Sequence, residues 1–330
     1  MNPMTTAPDI SVIIATRNRA GYLRECLAHL AAQETGGRFT YEVVIVDNGS
    51  IDATPGAVET LQPGFPVCLR YLYEGRAGKP WALNAGMGAA RGAIFAFTDD
   101  DILPTPTWLS ALWCCLQEER VDGVAGKVAP LWMGPRPAWL TDETLTRVNT
   151  MGLGCIDHGE SRRRSADGQD CRWVGGNMAI RREVLQRLGP FDVRLLRQGG
   201  APRGEDSEYY ERCLRAGLLV GYEPSALAHH KIGSERLTLG YFRSWRHQSG
   251  YANAALLPWK ASHLVTVMPI WRWRIIVLAV HGWLKAVATR RSWWERFYAE
   301  LKVREELGVW RRRFQQWPRE WLAVVRGRRE

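Results

Sequence analysis

Features that mark several other protein classes are missing from this sequence of 330 residues. It has no Cys-x-x-Cys pair, and its seven cysteines are an odd number, which argues against a disulfide framework and against a zinc site. We therefore expect reduced, mostly buried thiols in a cytosolic protein. Residues 1–10 contain no basic segment followed by an apolar one, so we expect no secretory signal.

Excess positive charge is also missing from most of the chain. From Tyr241 onward there are 18 Lys and Arg residues against six Asp and Glu, a net charge of +12. The whole chain carries +10, so the first 240 residues carry −2. Ten of the 16 tryptophans also lie after residue 240. The basic, tryptophan-rich character therefore belongs to the tail.

Apolar runs of strand type alternate with helical patterns over the first 120 residues. The predicted strands are 9–16, 41–48, 67–74 and 92–99. The predicted helices are 20–33, 52–61, 79–91 and 105–119. Strands and helices that alternate with short connections predict an α/β fold with a doubly wound, mostly parallel sheet.

The pattern is looser after residue 120. The prolines and tryptophans between 130 and 139 suggest an irregular segment. Residues 172–192 are typical of a strand, a tight glycine turn and a helix. Residues 204–217 predict a helix that begins with acidic side chains, and 219–230 predict a further strand and turn.

Polar side chains follow three of the predicted strands. Thr16, Asp47 and the triplet Asp99–Asp101 all fall at carboxyl ends, where sheets of this class form their ligand crevice. Adjacent carboxylates repel, so the triplet is either a solvated turn or a site for a cation. The spacing of Asp99 and Asp101 suits Mg²⁺ or Mn²⁺, which take oxygen ligands and share them with phosphates.

Six segments in order resemble family 2 glycosyltransferases, the nucleotide-sugar-dependent enzymes with a GT-A fold. These segments are SVIIATRNRAGYLRECL, VVIVDNGSIDAT, GKPWALNAGMGAARGAIFAFTDDD, VGGNMAIRREVL, GEDSEYYERCLRAG and the histidine before KIGSERLT. The resemblance covers roughly residues 9–240. It implies a GT-A catalytic domain at 1–240, with a donor half at about 9–120 and an acceptor half at about 121–240. Residues 241–330 then form a helical extension.

The resemblance also implies residues that contact the nucleotide-sugar donor. Thr16, Asn18 and Arg19 match the first nucleotide-contacting loop of the family. Asp47 matches the residue that hydrogen-bonds the base, commonly uracil, although an aspartate in DNGS also serves as a turn cap. The remaining donor positions are Lys79, Asn84, Asp99 and Asp100, with Asp99 facing the ribose or the metal.

A metal site and a base follow from the same resemblance. Asp101 would coordinate Mg²⁺ or Mn²⁺ directly, and His230, or alternatively His229, would complete that site or contact the diphosphate. Asp206 matches the catalytic base, which takes the acceptor hydroxyl proton in inverting transfer. Its neighbour Glu205 is the competing candidate, and both acids also suit a helix N-terminus.

The acceptor pocket of the family lies near Trp173, Gly175 and Gly176, with Glu205 beside it. An indole face there would stack on a sugar, although an ordinary core tryptophan fits the sequence equally well.

The tail admits three interpretations. Its most apolar part, 268–291, has no charge-free run longer than 275–284, about half of the roughly 20 residues that a membrane span needs. Trp, Phe, Leu and Arg at near-helical spacing after residue 291 favour an amphipathic helix on an anionic membrane. A helical pair that packs on the catalytic domain and a nucleic-acid surface are the alternatives, and we expect no nucleic-acid partner.

The resemblance, taken with the tail, predicts a metal-assisted, inverting glycosyltransferase at the inner face of the cell membrane. The resemblance further implies transfer of sugar from a nucleotide-sugar to a saccharide or lipid-linked acceptor in bacterial surface polysaccharide synthesis. A nucleotidyltransferase and a non-enzymatic membrane-surface protein are the alternatives. A nicotinamide dehydrogenase is disfavoured because no strict GxGxxG follows the first strand.

Overall fold

A computed structural model describes residues 7–144, 152–195, 204–254 and 270–327. These residues divide into two compact units. The sheet unit takes its residues from Met1–Gly134, Leu153–Leu196 and Gly200–Ile232. The helical unit takes its residues from Pro135–Gly152, Arg197–Gly199 and Gly233–Glu330. The helical unit thus includes the segment after residue 134 as well as the tail.

The sheet unit contains strands and helices in alternation. Its strands are β1 Ile10–Thr16, β2 Tyr41–Asp47, β3 Cys68–Tyr73, β4 Ile94–Asp99, β5 Ile102–Pro104, β6 Gly123–Trp132, β7 Arg163–Arg164, β8 Asn177–Arg181 and β9 Val220–Ile232. Its helices are α1 Ala20–Ala31, α2 Thr54–Leu61, α3 Lys79–Ala89, α4 Trp108–Glu118, α5 Arg182–Leu188 and α6 Glu205–Arg215. The predicted elements are present, with ends that differ by a few residues.

All of these strands belong to one mixed sheet. Its order is β3-β2-β1-β4-β8-β6-β9-β5, and β7 pairs with β9. The first four strands are mutually parallel, as the sequence predicted. From β8 onward the directions are mixed, because β8 runs antiparallel to both β4 and β6.

The prediction of an irregular segment between residues 130 and 139 was wrong for its first three residues. Residues Gly123–Trp132 form the strand β6, which runs through Pro130 beside β9. β8 pairs only with Gly123–Ala125 of β6, and Pro130 lies beyond that paired stretch. A proline is tolerated there because its missing N–H removes no bond to β8.

Helices cover both faces of the sheet. In β1, Val12 and Ile14 face a core that includes Leu27 of α1 and Leu109 of α4. The intervening Ile13 faces a second core formed with α3, α5 and α6. This period of two, with apolar side chains on both faces, is typical of a parallel strand buried between helical layers.

The helical unit is built from α7 Leu239–Asn253, α8 Ile270–Ala288 and α9 Trp293–Gly327. Phe242 of α7 is buried, as are several large side chains of α9, including Trp294, Phe297 and Leu301. Ion pairs join the helices: Arg272 of α8 binds both oxygens of Glu306 on α9 at 2.8 and 3.0 Å.

Two glycines let α7 and α9 approach each other closely. A Cβ at Gly250 would lie 1.8 Å from the carbonyl oxygen of Glu305, and one at Gly308 would lie 1.9 Å from that of His247. Any side chain at either position would therefore force the two helices apart. Among the described residues, helices with the length and apolarity to cross a membrane are absent.

Candidate active site

The acidic triplet lies at the carboxyl edge of the parallel strands. β4 ends at Asp99, which is in register with Ala15 of β1, and Thr16 of β1 is in register with Asp47 of β2. Residues 100 and 101 form the turn into β5, where Ile102 pairs with His230 of β9. The sheet therefore brings six predicted positions to one edge.

The carboxylate of Asp100 points into the turn after β1. It accepts a hydrogen bond from the Thr16 hydroxyl at 2.7 Å and one from the Arg19 guanidinium at 3.0 Å. Burial raises the pKa of Asp100 to about 6, and the charge of Arg19 opposes this shift. Arg19 also donates to Asp101 at 2.7 Å, so one guanidinium offsets two carboxylates.

His230 completes a pair with Asp101. Its Nδ1 lies 2.6 Å from the carbonyl oxygen of Leu153, which can only accept, so Nδ1 carries the proton. In the neutral ring this leaves the Nε2 lone pair on the side of Asp101, whose Oδ1 is 3.6 Å away. An outer hydrogen bond of this kind is how proteins orient a histidine ligand.

The Asp101–His230 pair fits a divalent cation. The two ligand atoms are close enough for one ion to bridge them, and Mg²⁺ often takes only one or two protein groups beside phosphate oxygens. Groups of three or more His, Cys, Asp or Glu side chains with metal-binding geometry are absent from the described part of the chain. His229 is one residue away on the same strand, where side chains alternate between faces. The structure therefore places His230 rather than His229 beside Asp101.

Lys79 connects the triplet to the start of α6. Its ammonium lies 2.5 Å from Asp99 and 3.9 Å from Glu205. Burial acts to lower the pKa of Lys79, but the charges of Asp99, Glu205 and Asp206 outweigh it and the pKa is raised. Lys79 is therefore a cation held among acids from two distant parts of the chain.

The carboxylate of Asp206 is fixed by backbone donors. Its Oδ2 accepts from the Gly175 N–H and its Oδ1 from the Ser207 N–H, both at 2.7 Å. Each oxygen keeps further acceptor capacity, and the residue is half-buried rather than sealed. Asp206 can therefore receive a proton from a group that enters the crevice.

Glu205 has a different environment although it is the adjacent residue. It is buried, and burial together with the charge of Asp206 raises its pKa to about 7, against the opposing effect of Lys79. A raised pKa is common in catalytic bases, but a base must also reach the reacting proton. The accessible Asp206 meets that geometric requirement better.

The structure corrects the stacking role predicted for Trp173. Its ring is 1% exposed and packs edge-on against Tyr210, so neither face is available to a sugar. Its indole N–H donates to the backbone oxygen of Asp206 at 2.8 Å. Of the two interpretations, an ordinary core tryptophan is therefore the correct one for Trp173. Its hydrogen bond positions the first turn of α6.

Gly176 lies where the backbone passes the triplet. A Cβ there would be 2.1 Å from the Ile102 side chain and 3.1 Å from Oδ2 of Asp99. At Gly175 an added Cβ would be 3.4 Å from the Asp206 carboxylate. The two glycines therefore bring one backbone segment close to the carboxylates of both Asp99 and Asp206. Their place in an acceptor pocket stays a prediction.

Three predicted donor residues are engaged in holding loops. Asp47 is buried, and its oxygens accept from the Tyr71 hydroxyl and the Ser50 N–H, both at 2.7 Å. Asn18, at φ 54°, binds the neighbouring turn through the Ile51 N–H. Asn84 exchanges two hydrogen bonds with the backbone of Phe191. Their contacts with a donor remain predictions.

Two buried polar residues that hold the site were missed by the sequence reasoning. Asn177 is fully buried, accepts from the Trp108 indole at 2.7 Å, and donates to the backbone oxygens of Lys127 and Ala226. Asn48 donates to two backbone oxygens of the loop before α3 and accepts from Gly78. The available signal was an Asn directly after a Gly-Gly pair or directly after an Asp, because such a side chain can hydrogen-bond nearby backbone groups.

Comparison with known proteins gives one family and several relatives. Residues 11–189 match the family described as Glycosyl transferase family 2. The chain is 28% identical over 246 residues, 73% of each chain, to the succinoglycan biosynthesis protein ExoM of Rhizobium meliloti. It is 27% identical over 229 residues, 69% of this chain and 67% of the relative, to the glycosyltransferase AglE of Haloferax volcanii.

Solved structures share the fold. A mannosyltransferase from Pyrobaculum calidifontis, in complex with GDP-Man and Mn²⁺, aligns with a TM-score of 0.53 at 19% identity, over 98% of this chain and 80% of the other. GalNAc-T7 with UDP, GalNAc and Mn²⁺ aligns with a TM-score of 0.53 at 17% identity, over 77% of this chain and 52% of the other. The mixed sheet with its flanking helices is thus the GT-A fold that the sequence predicted.

Proposed function

Since the chain belongs to glycosyl transferase family 2, we propose that it is an inverting enzyme with a nucleotide-sugar donor, UDP-linked, and a saccharide or lipid-linked acceptor. The chain is a glycosyltransferase by family and by its relatives. The observation that carries the finer proposal is the arrangement of two acidic groups that Lys79 connects. Asp101 and His230 form one group, Asp206 belongs to the other, and Lys79 lies between Asp99 and Glu205.

Asp206 is the base in this proposal. Its carboxylate takes the proton of the acceptor hydroxyl as that oxygen forms a bond to the anomeric carbon of the sugar. The bond from the anomeric carbon to the diphosphate breaks on the opposite face, and the electron pair leaves with the nucleoside diphosphate. The Gly175 and Ser207 N–H groups orient the carboxylate for this transfer.

Asp101 and His230 would hold the divalent cation, Mg²⁺ or Mn²⁺. Such an ion supplies Lewis-acid stabilisation of the negative charge that develops on the leaving diphosphate. The complexes of the two structural relatives with Mn²⁺ and a nucleotide or nucleotide-sugar support this choice. Arg19 and Lys79 lie at the same edge of the sheet and are the cations of this chain that would face the phosphates.

A place in polysaccharide synthesis at the inner face of the cell membrane completes the proposal. The relative ExoM, a succinoglycan biosynthesis protein, supports the pathway class. The basic, tryptophan-rich tail supports a peripheral position at a membrane surface.

A donor screen tests the activity. The purified chain is incubated with UDP- and GDP-sugars, with and without Mn²⁺, and the released products are identified. We expect metal-dependent release of a nucleoside diphosphate and, with an acceptor, a glycoside whose anomeric configuration is opposite to that of the donor. Release of pyrophosphate would indicate a nucleotidyltransferase, and retained configuration would exclude the inverting mechanism.

A further inference from the structure

Helix α8 carries an exposed apolar face that its own unit does not bury. Trp273, Val277, Leu284 and Val287, here called the apolar stripe, are all exposed, with Val277 at 63% and Leu284 at 54%. Their spacing of four, seven and three residues puts them on one side of the helix, because successive residues are rotated by about 100°. An exposed apolar stripe of this kind is typical of a surface that contacts a membrane or another protein.

The side of α8 that faces the rest of the unit is separate from the stripe. Arg272 pairs with Glu306, and Ala286 is buried. These two positions lie about 100–140° from the centre of the stripe on the helical wheel. The stripe is therefore a second face of α8, distinct from the face that packs on the rest of the helical unit.

A basic edge runs beside the stripe. Arg274 and Lys285 are both exposed and lie eleven residues apart, so they share one side of α8, about 95–115° from the centre of the stripe and opposite to the side of Arg272. Leu278, which is 57% exposed, lies on this same side. Arg290 and Arg291 follow at the carboxyl end of the helix and are also exposed. Residues 270–292 contain no Asp or Glu at all.

This charge pattern favours an anionic lipid surface over a second copy of the chain as the partner of the stripe. Two copies of the chain that met symmetrically through α8 would bring like charges together without any acid in the helix to offset them. An anionic lipid surface offers negative headgroups beside a hydrocarbon layer, which matches a basic edge beside an apolar stripe. Trp273 adds an aromatic side chain of the kind enriched at membrane interfaces.

We propose that α8 lies in the plane of an anionic bilayer surface, with the apolar stripe in the lipid and Arg274 and Lys285 at the headgroups. The helix has 19 residues, a length of about 28 Å, and runs along the membrane instead of crossing it. This inference rests on the proposed membrane location and assigns it to one helix face. It differs from the sequence prediction, which placed the amphipathic helix after residue 291.

Vesicle binding by the full chain tests the assignment with two matched double variants. Val277→Glu with Leu284→Glu places charge in the stripe. Leu307→Glu with Phe314→Glu has the same seven-residue spacing on α9, at positions that are 46% and 50% exposed. Co-sedimentation with vesicles of phosphatidylcholine and phosphatidylglycerol should show at least about tenfold weaker binding for the stripe variant and little change for the α9 variant.

Charge is tested separately. Arg274→Gln with Lys285→Gln should bind less tightly than the native chain to the mixed vesicles and should lose part of the salt dependence. Pure phosphatidylcholine vesicles should bind every variant weakly. Circular dichroism and sugar transfer to a water-soluble acceptor should stay at the native level in all variants, so lost vesicle binding with kept transfer is distinguishable from failure of the proposed activity.

Three results would overturn the proposal. The first is native-level vesicle binding by the stripe variant. The second is an equal loss for the α9 variant, which would make the effect one of general charge. The third is a concentration-dependent dimer of the native chain that the stripe variant abolishes, which would make the stripe a contact between copies.

Discussion

The two units of this protein use arginine and lysine in different ways. In the sheet unit, Arg19 and Lys79 meet acids that come from distant parts of the chain and lie at the carboxyl edge of the parallel strands. In the helical unit, Arg272 and Arg243 pair with glutamates of α9 and join helices, while other cations point outward. The comparison teaches that the same kinds of side chain gather acids at one edge of the sheet in the first unit and join helices in the second.

The strongest way to sharpen this comparison is to remove the proposed base. Asp206→Asn keeps the shape of the side chain but cannot take a proton, and it keeps only one of the two contacts with the Gly175 and Ser207 N–H groups, because an amide nitrogen cannot accept a hydrogen bond. We expect the turnover number to fall by about a thousandfold, within the usual range for loss of a general base. Donor binding, measured by calorimetry, should change by less than about twofold, because that range belongs to variants outside the binding contacts. Glu208→Gln on the same helix is the matched control, and full turnover by Asp206→Asn would remove it from the mechanism.

The next largest effect should appear in the helical unit and should concern stability. Arg272→Met leaves the largely buried Glu306 carboxylate without its bidentate partner. We expect a loss of roughly 3 kcal/mol in the free energy of unfolding, as is typical when one member of a buried pair is removed. Chemical denaturation measures this loss. Arg274→Met, two residues along and exposed, should change stability by less than about 0.5 kcal/mol. Equal losses of stability in the two variants would contradict the distinction between arginines that join helices and arginines that point to solvent.

Removing a proposed metal ligand should have a smaller effect, confined to the sheet unit. Asp101→Asn should weaken donor binding in the presence of Mn²⁺ by about 10- to 100-fold, since a neutral amide is a poorer ligand than a carboxylate. Titration of the donor with and without Mn²⁺ measures this. Asp52→Asn, at an exposed turn, is the control that should bind as the native chain does. An unchanged metal dependence in Asp101→Asn would move the site elsewhere.

The smallest predicted effect is a dependence of stability on pH. The pKa of Glu205 is raised from 4.5 to about 7, so the unfolded chain releases this proton at lower pH than the folded chain. The free energy of unfolding should therefore fall as pH rises from about 4.5 to about 7, by on the order of 1–3 kcal/mol from this group. Glu205→Gln should flatten the profile across that window. A profile identical to that of the native chain would show that Lys79 keeps Glu205 ionised throughout.

The parallel half of the sheet was accessible to sequence reasoning because its rules are local. Apolar runs of strand length alternate with helical patterns, and short connections then place Thr16, Asp47 and Asp99 at one edge. The convergence of these residues followed from topology alone. The functional roles came from the resemblance to a family, and the roles of individual residues stay predictions.

The remainder depended on contacts between distant segments. The direction of β8 and the course of β6 through Pro130 are set by which strands become neighbours. Whether Trp173 shows a face to solvent or packs on Tyr210 depends in the same way on α6, more than thirty residues later. Periodicity within one segment carries no information on such pairings.

The acidic triplet carries its own counter-charges, and this bears on how the edge of the sheet can fold. Arg19 and Lys79 lie against the three carboxylates, so repulsion at this turn is offset within the polypeptide itself. A newly made chain can therefore complete its sheet before it encounters any ion. For the proposed metal site, this means that binding of the cation would follow folding and would not be a condition for it.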